Sequence, residues 1–191
     1  MSRLILRNFA LHVVLAPDEQ EQILALLEQK SIKKRTVLIS PDDVEKHIYF
    51  VEEGCLRMYH TDMDGQEHNL CFYPENWWAC DNISFFNRKP AIYSIQALED
   101  SKISYLTITA LNDLFVRVPK LERFFRILIQ NGFDMFQRRV VSDLSLTAEH
   151  RYLEFRRLYP GLEQRINQKH IASYLGITAA FLSMMRKEKD L

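Results

Sequence analysis

Between Ser31 and Thr109 the hydrophobic period of this chain switches from that of a helix to that of a strand. Any fold open to the chain has to accommodate that switch. Short β-rich runs, Thr36–Ile39, His47–Val51, Leu56–His60, His68–Phe72, Ile92–Leu98 and Ile103–Ile108, alternate with turn signals. The separators are Pro41-Asp42-Asp43, Glu53-Gly54, Asp62-Met63-Asp64-Gly65, Pro74-Glu75-Asn76 and Lys89-Pro90. Strands at this spacing predict an antiparallel sandwich or jelly-roll barrel rather than a parallel sheet. Asp62-x-Asp64-Gly65 begins like a calcium loop but lacks the later oxygen ligands and the closing Glu. Asp-Gly between two strands is instead a hairpin turn.

Helical patterns flank the strands. Pro17–Lys30 is predicted as an amphipathic helix with Ile23, Leu26 and Leu27 on its apolar face and its acids near the positive end of the macrodipole. The segment before it begins like a signal peptide, yet it has no apolar core or small-residue cleavage site and reads as the start of the fold. No run approaches the roughly 18 apolar residues that cross a membrane. Thr109–Val116 predicts a short helix stopped by Pro119, after which a long helix runs toward Leu146. Leu121, Leu128 and Met135 lie a heptad apart in it, and Phe124, Phe125, Phe136 and Val140 widen the stripe. That is more apolar surface than one contact with a barrel uses, so a second copy of the chain is the expected partner; burial within one chain is the alternative. Thr147 is placed to cap the next helix, which Pro160-Gly161 ends.

The last segment carries the most specific spacing. Ile171, Ala172 and Leu175 share a face of one short helix, and Gly176 supplies a turn that tolerates positive φ. Ile177 plugs the turn and Thr178 caps a second helix, whose buried face is expected from Phe181, Leu182 and Met185. Two short helices so joined form a helix-turn-helix, whose second helix enters the DNA major groove. Charge is distributed to match. Overall it is zero, but from His150 onward eight Lys/Arg face four acids, leaving 17 bases against 21 acids in the rest. A basic tail on an acidic body is what phosphate contact by one domain requires.

With 47% apolar and 26% charged residues, the 191-residue chain has the make-up of a globular protein with a real core. Cys55, Cys71 and Cys80 are odd in number and form no CxxC, so a reduced, cytoplasmic setting is expected. The histidines, His12, His47, His60, His68, His150 and His170, show no metal-ligand spacing. There is no Gly-rich phosphate loop, nucleophile elbow or carboxylate cluster, so neither a catalytic residue, a metal nor a cofactor is assigned.

Helix, barrel, long helix and helix-turn-helix, in that order, resemble the Crp/Fnr family of bacterial transcription regulators. The stretches that carry the resemblance are Tyr49–Arg57, the Asp64-Gly65 hairpin, Phe72–Trp77 and Gln168-x-x-Ile171-Ala172-x-x-Leu175-Gly176-Ile177-Thr178. The resemblance implies a cyclic-nucleotide-binding-type barrel, dimerisation through the long helix and double-stranded DNA as partner. It also implies a phosphate cassette, from which this chain departs. Cys80 and Asp81 stand where the family has Gly-Glu, and Ala91 and Ile92 where it has Arg-Ser/Thr, while Arg88 falls three residues early. Asp81 can still hold a hydroxyl, but the cassette lacks its phosphate cation, so cyclic AMP is not expected as a tight ligand. A different small effector would be lined by Trp78, Asp81, Asn82, Phe85, Arg88 and Tyr93; the aromatic members have core packing as their other reading.

The resemblance places Ala179, Ala180 and Met184 where family members that read bases carry Arg, Glu and Arg. Asn167, Lys169, Thr178, Ser183, Arg186 and Lys187 remain as DNA contacts, most of them to phosphate. The sequence ends at Leu191, so the two-stranded wing usual in the family is expected to be missing. The expected fold is therefore α+β: a sensor barrel over 1–118, a dimerisation helix over 119–146 with Leu121, Phe124, Phe125, Leu128, Met135 and Phe136 at the interface, and an all-α DNA-binding domain over 147–191. The expected function is a homodimeric transcription regulator controlled by an effector other than cyclic AMP, or by none. The alternative is a ligand-sensing or protein-interaction module on the same scaffold that has lost sequence-specific DNA recognition.

Overall fold

The computed structural model describes residues 3–189 and has the expected α+β architecture. Helices α1 (Arg3–Ala10) and α2 (Pro17–Leu26) precede strands β1 (Glu28–Ile32), β2 (Val37–Ile39), β3 (His47–Glu53), β4 (Leu56–Thr61), β5 (Glu67–Tyr73) and β6 (Trp78–Ala79). A short helix α3 (Asn82–Asn87) leads to β7 (Ser94–Ala97) and β8 (Ser101–Thr107). Helices α4 (Ile108–Arg117), α5 (Lys120–Ser145), α6 (Ala148–Leu158), α7 (Gln168–Leu175) and α8 (Ala179–Lys189) complete the chain.

The strands form two antiparallel four-stranded sheets, ordered β1-β8-β3-β6 and β2-β7-β4-β5. Between the sheets pack Val51, Leu56, Met58, Cys71, Ile95 and Ile103, all buried. A second core, with Ile5, Phe9, Ile23, Phe50, Trp78 and Leu111, lies between the first sheet and the helices α1, α2, α4 and α5. The polar strand β1 corrects the expectation of helix through Lys30. Helix α2 stops at Leu26, and Glu28–Ile32 pairs along β8 instead. Four of the strand's five residues are exposed, so it has no alternating face to betray it, and the ladder to β8 overrides local helix propensity.

Gly54 turns the chain from β3 to β4 at φ +93°. A Cβ there would run into the Ser101 side chain and approach Asp100 O to 2.8 Å. The expected hairpin at Asp62–Gly65 is present: Asp62 O accepts Gly65 N (3.0 Å), and Asp62 Oδ1 accepts Asp64 N and Gln66 N.

Helix α5 corrects the expected dimer surface. Leu121, Phe124 and Phe125 are fully used by the chain's own core: Phe124 packs 4.6 Å from Phe9 and Phe125 5.3 Å from Trp78, centroid to centroid. Leu128 sits at the edge of that core, and Met135 packs against the inter-sheet core. A heptad fixes that two apolar faces exist on such a helix but not which one the barrel covers. The uncovered face carries Ile129, Phe133 (62% exposed), Phe136, Val140 and Leu144 (84% exposed), at three- and four-residue steps. Phe136 alone of the six expected interface residues counts among the exposed apolar side chains. The expectation about a wing concerns chain beyond α8 and lies outside the described residues.

Gly54→Ala should cost on the order of 3 kcal/mol, from left-handed strain plus the clash with Ser101. Urea unfolding followed by circular dichroism measures it, and a loss under about 1 kcal/mol would mean the β3–β4 corner relaxes freely.

Candidate nucleic-acid interface and barrel pocket

The helix-turn-helix is closed by its backbone. Asn167 caps α7 by accepting Lys169 N at 2.9 Å, and Ile171, Ala172 and Leu175 are buried. Gly176 takes φ +65°, and Ile177 N returns to Ala172 O at 3.0 Å, consuming a carbonyl the helix end would otherwise leave bare. Thr178 then starts α8 twice over, its Oγ1 accepting Phe181 N (3.1 Å) and its carbonyl Leu182 N (3.0 Å). Leu182 and Met185 are buried as expected. Phe181 is not: it is 43% exposed, because it lies about 100° of helix from Leu182, on the outer flank of the buried pair.

The outward face of α8 therefore carries Ala179, Ala180, Phe181 and Met184, with Ser183 half-buried and Lys187 exposed. Asn167, Lys169 and Thr178 are exposed beside it. Arg186 is half-buried, its guanidinium 5.9 Å from the Tyr152 ring, so it leans inward more than the phosphate role expected of it requires. Apart from Lys187, the exposed side chains named on this face are methyl, thioether and phenyl groups, which can touch thymine methyls but do not hydrogen-bond to a purine edge.

The reading unit is bolted to the barrel by contacts that no local pattern announces. Ser173 of α7 accepts Asn69 N (3.0 Å) and donates to Glu67 O (2.7 Å), so the helix continues the polar edge of β5. Asn69 Nδ2 donates to His170 O (3.0 Å). Arg57, 2% exposed, pairs with Glu67 (2.7 Å), donates to Asn69 (3.1 Å) and lies 3.3 Å from His170 Nδ1. Arginine has only donors, so that nitrogen must be the unprotonated one. Burial first, then the charges of Arg57 and Lys169, push the His170 imidazole down to about 4. From α5, Arg139 donates to Leu70 O, Asn69 O and Tyr174 O while lying 3.9 Å over the Tyr174 ring. Phe72 of β5 completes the seam within a ring of Phe155, Tyr159 and Tyr174.

The six residues expected to line a ligand site in the barrel are dispersed. Asp81 is spent as the N-cap of α3, where its Oδ1 accepts Ser84 N at 3.0 Å. Phe85 is buried in the core under the helices, Tyr93 packs against the inter-sheet core, and Arg88 is exposed at the end of α3 in a left-handed conformation. Trp78 and Asn82 do reach a cavity of about 390 Å³, walled on the barrel side by Ile48, Tyr73, Cys80 and Phe86 and on the α5 side by Phe125, Leu128, Ile129 and Met135. Its lining is mostly apolar, with Asn8, Asn76, Asn82 and Asn131 as polar handles.

Below α3 lies an acidic pair that the sequence did not disclose. Glu45 is 1% exposed; its Oε1 accepts Lys46 N (2.9 Å), His47 N (3.0 Å) and, at 3.4 Å, Tyr49 OH. Its backbone N donates to Ser84 Oγ (2.8 Å), which in turn donates to Lys89 O (2.7 Å). Glu45 Oε2 and Asp81 Oδ2 are buried without a partner. Burial pushes the Glu45 carboxyl up to about 7, and the Asp81 charge adds to the effect. The same surroundings raise the Cys80 thiol well above its usual range, with burial the first cause and then Glu45 and Asp81, so Cys80 is a poor nucleophile. Among the described residues no three His, Cys, Asp or Glu side chains gather as a metal site, and no helix is long and apolar enough to cross a membrane.

Residues 29–117 match the family model of the cyclic nucleotide-binding domain. The regulatory protein HlyX of Actinobacillus pleuropneumoniae is 25% identical, over 93% of this chain and 78% of that protein. FixK2 of Bradyrhizobium japonicum superposes with a TM-score of 0.73 at 16% identity, over 85% of this chain and 83% of that one. A variant of CooA from Carboxydothermus hydrogenoformans superposes at 0.71 with 20% identity, over 87% of this chain and 77% of that one.

Because Glu45 is 4.5 when unfolded and about 7 when folded, its neutral form belongs to the fold. Its stabilising share is complete below about pH 4.5 and is lost as the pH rises through 7. From about pH 5 to pH 8 that loss is roughly 2–3 kcal/mol, at 1.4 kcal/mol per unit. Chemical denaturation across this range should show the decline in the wild type and a flatter profile in Glu45→Gln, and equal slopes in the two proteins would refute the assignment.

Proposed function

We propose that this chain, a member of the Crp/Fnr family of transcription regulators, binds double-stranded DNA as a homodimer under the control of an effector other than cyclic AMP. The observation that carries the reading is the closed helix-turn-helix with the N-terminal turn of α8 facing solvent. The proposed dimer contact is the uncovered face of α5, Ile129, Phe133, Phe136, Val140 and Leu144, rather than the buried face read from the sequence. A stripe that long and apolar is unusual on a lone helix in water and matches the seam of a parallel helix pair. Three buried thiols with no disulfide between them support a reducing, cytoplasmic setting.

The proposed effector seat is the cavity between barrel and α5. An apolar molecule there would press on Leu128 and Ile129, at the start of the proposed dimer face, and so bias the spacing of the two reading helices. Cyclic AMP suits neither this lining nor the cassette. Asp81 and Glu45 both bring an unpartnered oxygen under α3, where a phosphate would need a cation. The apolar outward face of α8 supports a second reading, a protein-interaction module that has lost close base readout.

DNA binding should be weak and carried by phosphates. Fluorescence anisotropy with duplex DNA should give a linear log–log salt dependence, and Lys187→Ala should lower its slope by about 0.9. Absence of any binding at low salt would leave the second reading. In sedimentation, Phe133→Glu combined with Val140→Glu should turn a dimer into a monomer, and an unchanged dimer would place the interface elsewhere.

A further inference from the structure

Where the barrel meets the helical module there is a cleft of about 280 Å³ that is polar and strongly basic. Lys34 and Arg35, from the turn between β1 and β2, form one wall. Arg165 and Lys169, from the entry to α7, form the other, and Arg57 and His170 form the floor. Glu67 is the one acid in the lining, and it is already bound to Arg57. Arg165 is likewise satisfied, by Glu75 (2.7 Å) and Glu99 (2.5 Å). Lys34, Arg35 and Lys169 have no ion pair among the described residues, so three cations from two separate parts of the chain converge on one opening, while the nearby acids Glu67 and Asp100 are paired with Arg57 and Lys33.

Their placement is fixed. Arg35 is held at φ +72° with its N–H on Ala97 O (2.8 Å) and its carbonyl accepting from Gln96 Nε2, while Lys34 N is tied to Asp100 (2.9 Å). Lys169 stands in the first turn of α7, where the backbone adds positive potential. The groups facing His170 are Arg57 of β4, Glu67 and Asn69 of β5, Lys34 of the β1–β2 turn, and its own neighbour Lys169. After burial, the charges of Arg57, Lys169 and Lys34 lower the pKa of this imidazole, against an opposing effect of Glu67.

The geometry points to a phosphate-binding site in this cleft, with Lys34, Arg35 and Lys169 as its free cations above a floor of Arg57 and His170. Two ammonium groups and the unpaired Arg35 guanidinium suit a phosphate dianion or a phosphodiester, while the donors of Arg57 below them are already taken by Glu67, Asn69 and Gln96. Two sources offer that chemistry: the backbone of a duplex extending beyond the helix-turn-helix, and a free phosphorylated small molecule. The first rests on the DNA-binding reading above; the second does not.

Pyrophosphate and duplex DNA test the two sources separately, in the full chain and in the Lys34→Glu/Arg35→Glu variant. In the wild type, pyrophosphate at low salt should raise the His170 pKa, followed by its imidazole NMR signals, by about one unit, because an anion offsets the cations beside it. The variant should lose that response. Two duplexes of unrelated sequence form the second arm, one spanning two half-sites and one longer by about a helical turn at each end. If the backbone is the source, the variant should lose about tenfold in affinity for the longer duplex, with a slope lower by about 2, and bind the shorter one as the wild type does. Either response supports the site: pyrophosphate alone identifies a small phosphate ligand, and the longer duplex alone identifies the DNA backbone. His170 unmoved by pyrophosphate, together with equal duplex binding by both proteins, overturns it. Should the wild type bind neither duplex while His170 still responds, the DNA-binding reading fails and the phosphate site stands. The neutral Lys34→Gln/Arg35→Gln pair, which adds no acid to the cleft, should lower the slope by about 2 as well, with a smaller loss of affinity than the charge-reversed pair.

Discussion

Arg57 cannot give up its proton and is almost wholly buried, so its surroundings must be polar, complete and rigid. Glu67, Asn69, Gln96 and the unprotonated nitrogen of His170 supply that completeness, and the Tyr59 ring covers the guanidinium face at 3.9 Å. Two of these partners do a second job. Asn69 and Glu67 also hold α7 through His170 O and Ser173, so what satisfies the arginine also positions the reading unit. Removing one of these partners leaves a buried donor of a charged group without its acceptor, which is costly. The seam is thus unforgiving of small displacements.

Helix α5 links the same seam to the rest of the molecule. Its barrel-side face contributes Phe124 and Phe125 to the core at one end and Arg139 to β5 and α7 further along. The other face is apolar and bare. A single rigid rod therefore touches the apolar cavity, the domain seam and the proposed dimer contact. Ridges of side chains packed at interior density shift between discrete seats rather than bend, which gives such a rod its value in a switch.

Much of this was legible in the residues. The turn-separated runs show the sheets because alternation is imposed by one buried face, and the helix-turn-helix shows itself because Gly176, Ile177 and Thr178 are each required by a backbone geometry. The short helix α3 and the two-residue strand β6 had no such signal: they exist because Asp81 caps one and Phe50 and Tyr49 pair with the other. Phe181 was misassigned since an apolar residue beside a buried one looks the same in sequence whichever side of the helix it takes. Glu45, Asn69 and Arg139 gave no warning because their partners lie across the fold: Ser84 is 39 positions from Glu45, and Tyr174 is 35 from Arg139.

The amino-acid sequence by itself determined the succession of barrel, long helix and helix-turn-helix, since each follows from period, capping or turn chemistry within a few residues. Its resemblance to the Crp/Fnr family adds two expectations, a phosphate cassette without its cation and alanine or methionine at positions 179, 180 and 184 where base-reading side chains would stand. Tertiary structure alone decided which face of α5 the barrel covers, that two carboxyls each keep one buried oxygen without a partner below α3, and that Lys34 and Lys169 open on one cleft. Those outcomes depend on contacts between residues far apart in the chain, and electrostatic and packing energies act through distance in space, which a linear pattern does not contain.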